Sequence, residues 1–296
     1  MRATAACSRI LPLAQQRPRF GTVHSVFDRA VNLELGEAGL IGLIAEDKTL
    51  TPYAVSVRTE QPFFEAGVRA GMAAHLENGT LRIPQAQIEI DLTHAAPVEL
   101  CVDAIGLRGR AGERMLWEAI CGALADADTQ EGLAPLATGA QGNVYARFLT
   151  PRLERLCSAV EQGAQDEAVQ AAAACAGCGM GLTPSSDDLL CGYFLTLHLL
   201  FRARGISGAN AHIRRMARAA AARTNRISAT FLLQSGDALA NAALCALFEA
   251  AFTDLNGAAA SRAIGRVLAI GSTSGADTLT GVALALRQHN GGNEAW

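Results

Sequence analysis

The sequence predicts an α+β protein with a β-rich N-terminal domain at residues 1–104 and an all-α domain at residues 105–296. Of its 296 residues, 50% are hydrophobic and only 18% are charged, which is a globular composition. Up to about residue 102, short apolar runs are bounded by Gly, Pro, Asp or Asn, as in strands joined by turns. Beyond Gly112 the apolar residues recur with helical spacing.

The N-terminal domain is predicted to be a mainly antiparallel sheet or a small barrel, because its apolar runs do not alternate with helices. The predicted strands cover residues 22–27, 30–35, 40–45, 54–57, 80–83, 87–92 and 98–102, with one helix at 63–78. The predicted helices of the second domain cover residues 113–127, 144–161, 166–176, 184–204, 209–222, 228–235, 238–252, 258–269 and 277–289. Residues 128–143 form the one long connection, a candidate mobile loop, and the tail from residue 290 is expected to fray.

One pattern occurs twice in the helical half, at positions ninety residues apart. Gly, Thr, Asp and Leu stand at offsets 0, 2, 6 and 8 from Gly181 and again from Gly271, and an apolar run follows each copy. Each copy predicts the start of a helix. In the first copy Thr183 suits the N-cap and Pro184 the first helical position, and acids in the first turn offset the helix dipole.

Helix capping explains neither the number of glycines nor the number of hydroxyl groups in these copies. Free backbone N–H groups, glycines that allow close approach and hydroxyl donors together form an anion site. The sequence therefore predicts that both helix starts bind one anionic ligand. The candidate ligand-binding residues are Gly179, Gly181, Thr183, Ser185 and Ser186 in the first copy, and Gly271, Ser272, Thr273, Ser274 and Gly275 in the second.

The segment at residues 177–192 resembles the signature of a bacterial family represented by the AllH-like subunit of oxamate carbamoyltransferase, which acts in anaerobic allantoin breakdown. Other members carry the label of carboxylases. Residues 25–33, 224–228 and 271–279 agree with the family in order and spacing, so the resemblance covers nearly the whole chain. The chain departs from it at Cys178 and Met180, where at least one member has Lys and Pro.

The resemblance implies carbamoyl transfer between phosphate and the nitrogen of oxamate, carried out with partner subunits. One of these partners resembles acyl-CoA synthetases. The implied ligands are carbamoyl phosphate or phosphate, and an oxamate-like acid. Two alternatives stay open: a non-catalytic scaffold subunit of the same complex, and a stand-alone enzyme of the carboxylase or ligase kind.

Within the resemblance, Asp187 and Asp277 are the catalytic candidates. They are expected to act as Mg²⁺ ligands, as anchors for the glycine loops, or as acceptors from a substrate amide. Asp188 is a second candidate Mg²⁺ ligand, but adjacent residues on a helix point about 100° apart, so Asp187 and Asp188 cannot face one ligand equally. Arg226, near the matching residues at 224–228, is the candidate clamp for a carboxylate or phosphate. Simple compensation of the helix dipole is the alternative for the acids, and a solvated basic face for the arginine.

Composition excludes several classes of function. The net charge is −3 and no basic stripe is present, which excludes nucleic acid as the main partner. Lys48 is the single lysine, so Schiff-base chemistry and a P-loop lysine are excluded. No apolar stretch suits a membrane span, and the absence of a secretory signal favours a cytoplasmic protein with reduced cysteines. The sequence leaves open whether the chain forms a homo-oligomer.

Overall fold

The structure is a computed structural model that describes residues 1–36, 39–107, 111–127, 132–254 and 256–290. The chain divides into two compact units, Met1–Leu100 and Cys101–Trp296. The division lies four residues before the predicted boundary between residues 104 and 105. In the described part of the chain, no helix has both the length and the apolar character that a membrane crossing needs.

The first unit is a nine-stranded sheet, and its mainly antiparallel character is as predicted. The strands lie in the order β8-β7-β6-β2-β3-β4-β5-β1-β9, and two neighbouring pairs, β4 with β5 and β1 with β9, are parallel. The strands are β1 (Arg2–Cys7), β2 (Arg19–Val26), β3 (Ala30–Glu34), β4 (Leu40–Ala45), β5 (Ala54–Arg58), β6 (Ala73–Glu77), β7 (Thr80–Ile83), β8 (Ile88–Asp91) and β9 (Ala96–Val98).

One face of this sheet forms the core of the unit. Val31 and Leu33 alternate with less buried neighbours along β3, as expected of a strand with one buried face. The short helix α1 (Ile10–Gln15) contributes Ile10 to the same core, and Phe63 is fully buried there.

The predicted helix at residues 63–78 is wrong. A single helical turn forms there, in which Ala66 donates its N–H to the carbonyl of Pro62, and Gly67 ends it with a φ of +85°. Residues Ala73–Glu77 instead form β6, which pairs with β2 and β7. The predicted strand at 98–102 is misplaced, because β9 covers Ala96–Val98 and a 3-10 turn begins at Val102.

The second unit contains ten helices among the described residues, and the predicted helical periodicity is confirmed. They are α2 (Ala111–Asp126), α3 (Pro135–Thr138), α4 (Val144–Glu161), α5 (Gln165–Cys175), α6 (Ser185–Ala203), α7 (Ala209–Ala221), α8 (Arg226–Gly236), α9 (Ala242–Phe248), α10 (Gly257–Leu268) and α11 (Ser274–Asn290). The predicted helix at 238–252 is shorter than expected. Ala238 has a positive φ, and Asn241 caps α9, which continues as a π-helical turn at Glu249–Thr253.

The connection at 128–143 is only partly within the described residues, which resume at Gly132. Its described part contains α3 and ends at Asn143, whose side chain caps α4 by accepting the N–H of Ala146 at 2.9 Å. The Asn143 amide also donates to the carbonyl of Gly132 at 2.8 Å. Of the predicted frayed tail, the residues after Asn290 lie outside the described part.

Helices α6 and α11 run side by side in the same direction. At their starts, the hydroxyl oxygens of Thr183 and Ser274 are 3.1 Å apart. At their ends, the guanidinium of Arg204 donates to the carbonyl of His289 at 3.2 Å. The two helix N-termini therefore lie next to each other.

Glycines make this close packing possible. A Cβ atom on Gly281 would lie 1.9 Å from the carbonyl oxygen of Leu189, and one on Gly192 would lie 2.0 Å from that of Thr278. These distances are far below van der Waals contact, so each helix places a glycine against the backbone of the other.

Replacing Gly281 with alanine should therefore lower the free energy of unfolding by more than about 2 kcal/mol, because the two backbones must move apart. Gly265→Ala on α10 is the matched control, since a Cβ there has no neighbour within 4 Å. We expect this control to raise the free energy of unfolding by up to about 1 kcal/mol through helix propensity. Urea denaturation measures the free energy of unfolding of both variants. Equal changes in Gly281→Ala and Gly265→Ala would contradict the close packing of α6 and α11.

Candidate functional site

The two repeated motifs meet at the starts of α6 and α11. The Thr183 hydroxyl contacts Ser274 of the second motif and donates to the Asp188 carboxylate at 2.9 Å. Thr183 is therefore not the side-chain cap that the sequence predicted. Pro184 occupies the N-cap position, without a side-chain hydrogen bond, and α6 begins at Ser185.

Asp187 is an anchor for the glycine-rich loop that precedes α6. Its side chain is only 1% exposed, and its Oδ1 accepts the backbone N–H of Gly177 at 2.7 Å. Its Oδ2 accepts the hydroxyl of Thr224, which lies just before α8. A buried carboxylate needs such donors, so Asp187 connects two segments to the start of α6.

Asp277 has the equivalent place in the second motif. It is fully buried, and its Oδ1 accepts the backbone N–H of Leu133 at 2.6 Å, which anchors the segment that leads into α3. Burial raises the pKa of Asp277, and the hydrogen bond from Leu133 opposes that rise. Each motif thus uses its shared aspartate to hold a loop through a backbone N–H group.

Asp188 differs from both because it is partly exposed. Burial raises its pKa to about 7, and the hydroxyls of Ser274 and Thr183 lower it by smaller amounts. The neighbouring carboxylates of Asp277 and Asp187 add to the rise. The raised pKa of Asp188 therefore lies near neutral pH.

The glycine-rich loop is fixed by further hydrogen bonds to the first turn of α6. Cys178 donates its N–H to the hydroxyl of Ser186 at 2.8 Å, and Ser186 returns its own N–H to the carbonyl of Cys178 at 2.9 Å. Gly179 has a φ of +126°, and a Cβ there would lie 2.5 Å from the nitrogen of Ser185. Only glycine fits this position.

Several N–H groups at the two helix starts already have acceptors within the chain. Asp187 donates to the carbonyl of Pro184 at 2.8 Å, and Asp277 donates to that of Thr273 at 2.8 Å. Gly275 donates to the carbonyl of Ile270 at 3.0 Å. These donors are not directed at an open ligand site.

An open cleft of about 900 Å³ lies beside the glycine-rich loop. The residues that line it include Gly177–Gly179, Arg152, Arg223, Tyr145 and Phe148. No Asp or Glu occurs among the described residues that line it. We call it the arginine cleft.

Arg152 is held in place within this cleft. Its guanidinium carbon lies 3.6 Å from the centroid of the Phe148 ring, and it donates to the carbonyl of Phe148 at 2.7 Å. These contacts restrict the side chain before any ligand binds.

Arg226, the predicted clamp, begins α8 and is exposed, and it is not among the residues that line the arginine cleft. Thr224 lies before that helix, because Asn225 is its cap. Arg152, Tyr145 and Phe148 were missed by the sequence reasoning. The available signal was the spacing of Phe148 and Arg152, which puts an aromatic ring and a cation one turn apart on α4.

The remaining candidate residues surround the junction of the motifs. Gly181 and Gly271 precede the two helices with positive φ angles, and Ser272 and Thr273 lie between Gly271 and the start of α11. All eight cysteines are free thiols. Among the described residues, no group of three or more His, Cys, Asp or Glu side chains is placed to hold a metal ion.

Comparison with known proteins gives two matches. A family model described as "Oxamate carbamoyltransferase subunit AllH" matches residues 175–286, which include both motifs. A second model, described as "AllH family N-terminal domain", matches residues 2–98, the nine-stranded sheet. Neither a curated protein nor a solved structure matches the chain.

Asp188 should make the stability of the protein depend on pH. Its pKa is about 7 in the folded chain against an ordinary 3.8, so between these values the folded state keeps a proton that the unfolded state releases. The free energy of unfolding should therefore fall as the pH rises from about 4 to about 7. Asp188→Asn should remove the contribution of Asp188 to this decrease in the free energy of unfolding. Asp254→Asn, at an exposed position, should leave the decrease unchanged. Calorimetry across this pH range tests it, and parallel curves for Asp188→Asn and wild type would contradict the assignment.

Proposed function

The chain belongs to the AllH family, whose model is described as an oxamate carbamoyltransferase subunit, and we propose that it holds the anionic substrate of that enzyme in the arginine cleft. A subunit acts with partner subunits. We propose that one of these is the acyl-CoA-synthetase-like protein implied by the family resemblance, and that the reaction belongs to anaerobic allantoin breakdown.

The observation that carries this proposal is the charge of the cleft. Arg152 and Arg223 border the loop residues Gly177–Gly179, and no carboxylate among the described lining residues opposes them. Guanidinium groups bind phosphate and carboxylate oxygens through paired hydrogen bonds. A volume of about 900 Å³ accommodates carbamoyl phosphate with room for a second small acid.

The chemistry explains why cations are useful there. In carbamoyl transfer from the oxamate nitrogen to phosphate, the C–N bond breaks, a new C–O bond forms, and the nitrogen gains the proton that phosphate gives up. Negative charge develops on the carbonyl oxygen of the carbamoyl group as it passes from the oxamate nitrogen to phosphate. Fixed arginines near this charge stabilise the transition state more than mobile ones would.

In this proposal, Asp187 and Asp277 are positioning residues. The carboxylate of Asp187 holds Gly177 and Thr224, and so fixes one wall of the arginine cleft. Asp277 fixes the start of the segment at Leu133. Loop anchoring is one of the roles expected from the sequence, and it does not require either aspartate to contact the substrate.

A second candidate function is supported by a different observation. The N–H groups of Ser186, Asp187, Gly275 and Asp277 are all bonded within the chain. The motifs would then serve only to join helices, and the chain would be a scaffold subunit of the same complex. The two candidates differ in whether the arginine cleft binds phosphate.

Phosphate binding tests this difference. Arg152→Gln and Arg223→Gln should each weaken the affinity for phosphate and carbamoyl phosphate about tenfold or more, because each removes a charge-assisted hydrogen bond of about 1.5–3 kcal/mol. Arg155→Gln is the matched control, since Arg155 lies on the same helix but pairs with Glu167 at 3.0 Å outside the cleft. Isothermal titration calorimetry of the chain, alone and with its partner subunits, measures the affinities.

The scaffold function would be favoured if wild-type protein bound no phosphate in the assembled complex. Equal losses of affinity in all three variants would show a general charge effect, and would remove the arginine cleft as the site.

Asp187→Asn should lower turnover in the reconstituted complex about a hundredfold, while circular dichroism shows a folded chain. Gly177 and Thr224 donate to different oxygens of Asp187, and the neutral amide that replaces the carboxylate keeps an acceptor at only one of these two positions. Asp237→Asn is the control, because Asp237 is half exposed and pairs with Arg214 on the surface. Full turnover in Asp187→Asn would contradict the positioning role.

A further inference from the structure

A second cavity lies along the segment that Asp277 of the second motif anchors. Asp277 holds Leu133, and the chain then passes through α3 toward Gly142. This segment lines a partly open cavity of about 370 Å³ together with α4 and α11. The arrangement repeats that of the first motif, in which a shared aspartate holds a loop at the edge of an arginine-lined space.

The wall of this cavity is mainly apolar. The apolar residues that line it include Pro135, Leu136, Ala146, Leu153 and Leu284. Its volume lies within the range of about 300–1,000 Å³ that small-molecule sites occupy. We call it the α11 cavity.

Arg287 is the charged group that distinguishes the α11 cavity. It is half-buried on α11, and no Asp or Glu of the described chain lies within ion-pair distance of it. Arg147 is already engaged, since it donates to the carbonyl of Gly142 at 2.9 Å. Glu154, which is exposed on α4, is the one acid among the described lining residues.

The α11 cavity and the arginine cleft lie on opposite sides of α4. Residues 145, 148 and 152 line the cleft, whereas residues 146, 150, 153 and 157 line the cavity. At about 100° per residue, these two sets point in nearly opposite directions. A helix about 10 Å across separates the two spaces, so a ligand in one cannot react directly with a ligand in the other.

We propose that the α11 cavity is a second ligand site, which binds a small monocarboxylate with an apolar body. Arg287 pairs with the carboxylate, and the aliphatic wall covers the apolar body. Glu154 disfavours a second carboxylate on the same ligand. This site is independent of the proposed phosphate binding, because neither Arg152 nor Arg223 lines it.

The test uses 4-methylpentanoate as the probe, with the full-length chain in isothermal titration calorimetry. We expect binding at millimolar concentration and a loss of affinity of tenfold or more in Arg287→Gln. Ala140→Trp, at an exposed position in the cavity wall, should block the site without affecting the core. Arg223→Gln should leave the affinity for 4-methylpentanoate unchanged, and Arg287→Gln should leave phosphate binding unchanged.

Two comparison ligands test the class of compound. 3-Methylbutylamine has the apolar body without the carboxylate, and glutarate adds a second carboxylate, so both should bind at least tenfold more weakly. The proposal is overturned if wild-type protein does not bind 4-methylpentanoate, if Arg287→Gln and Ala140→Trp bind it as wild type does, or if either comparison ligand binds as tightly. Because phosphate binding is measured on the same variants, failure here is distinguishable from failure of the arginine cleft.

Discussion

A carboxylate removed from water needs hydrogen-bond donors, and in this protein two such carboxylates determine where the loops of the helical unit lie. Asp187 and Asp277 are 1% and 0% exposed. Each accepts a backbone N–H, from Gly177 and from Leu133 respectively. Since an unpaired buried carboxylate would be strongly unfavourable, each loop is held at the position where it supplies its donor. Gly177 lines the arginine cleft, and Leu133 lies two residues before Pro135 in the wall of the α11 cavity.

The parallel packing of α6 and α11 accounts for the acids around these bonds. Two parallel helices in contact place their positive N-terminal ends together, which is electrostatically unfavourable. The carboxyl groups of Asp187, Asp188 and Asp277 lie at this junction and supply negative charge when they are ionised. Glycines at positions 192 and 281 then allow the helix backbones to approach closely. The acids therefore serve the packing of the pair as well as the loops.

The sequence predicts the helices well because their signals are local. For α4, the apolar period gives both ends as observed, and Asn143 caps the start. The strand β1 was missed because half of Arg2–Cys7 is alanine, which has a low β-propensity. The strand forms through pairing with β5 and β9. The predicted helix at 63–78 failed for a related reason, since pairing with β2 and β7 outweighs the local preference of Ala73–Glu77.

The repeated motifs could be found from the sequence, and so could their helix starts. Their hydrogen-bond partners could not, because Leu133 lies 144 residues from Asp277. From the sequence alone, Arg152 resembles any charged residue on a solvated helix face. Its place in the cleft follows only from the fold, which brings α5 and the glycine-rich loop beside it. Arg226 was preferred from the sequence because it follows the family-like Thr224, but Asn225 caps α8 between them, so the two residues have different surroundings.

Amide hydrogen exchange tests the central claim, that each shared aspartate anchors its own loop, most directly. In wild-type protein the N–H groups of Gly177 and Leu133 should both be protected. Asp187→Asn should speed exchange at Gly177 and leave Leu133 protected, while Asp277→Asn should do the reverse, with the helices still protected in both. Unchanged protection of Gly177 in Asp187→Asn, or equal losses at both positions in either variant, would contradict the account.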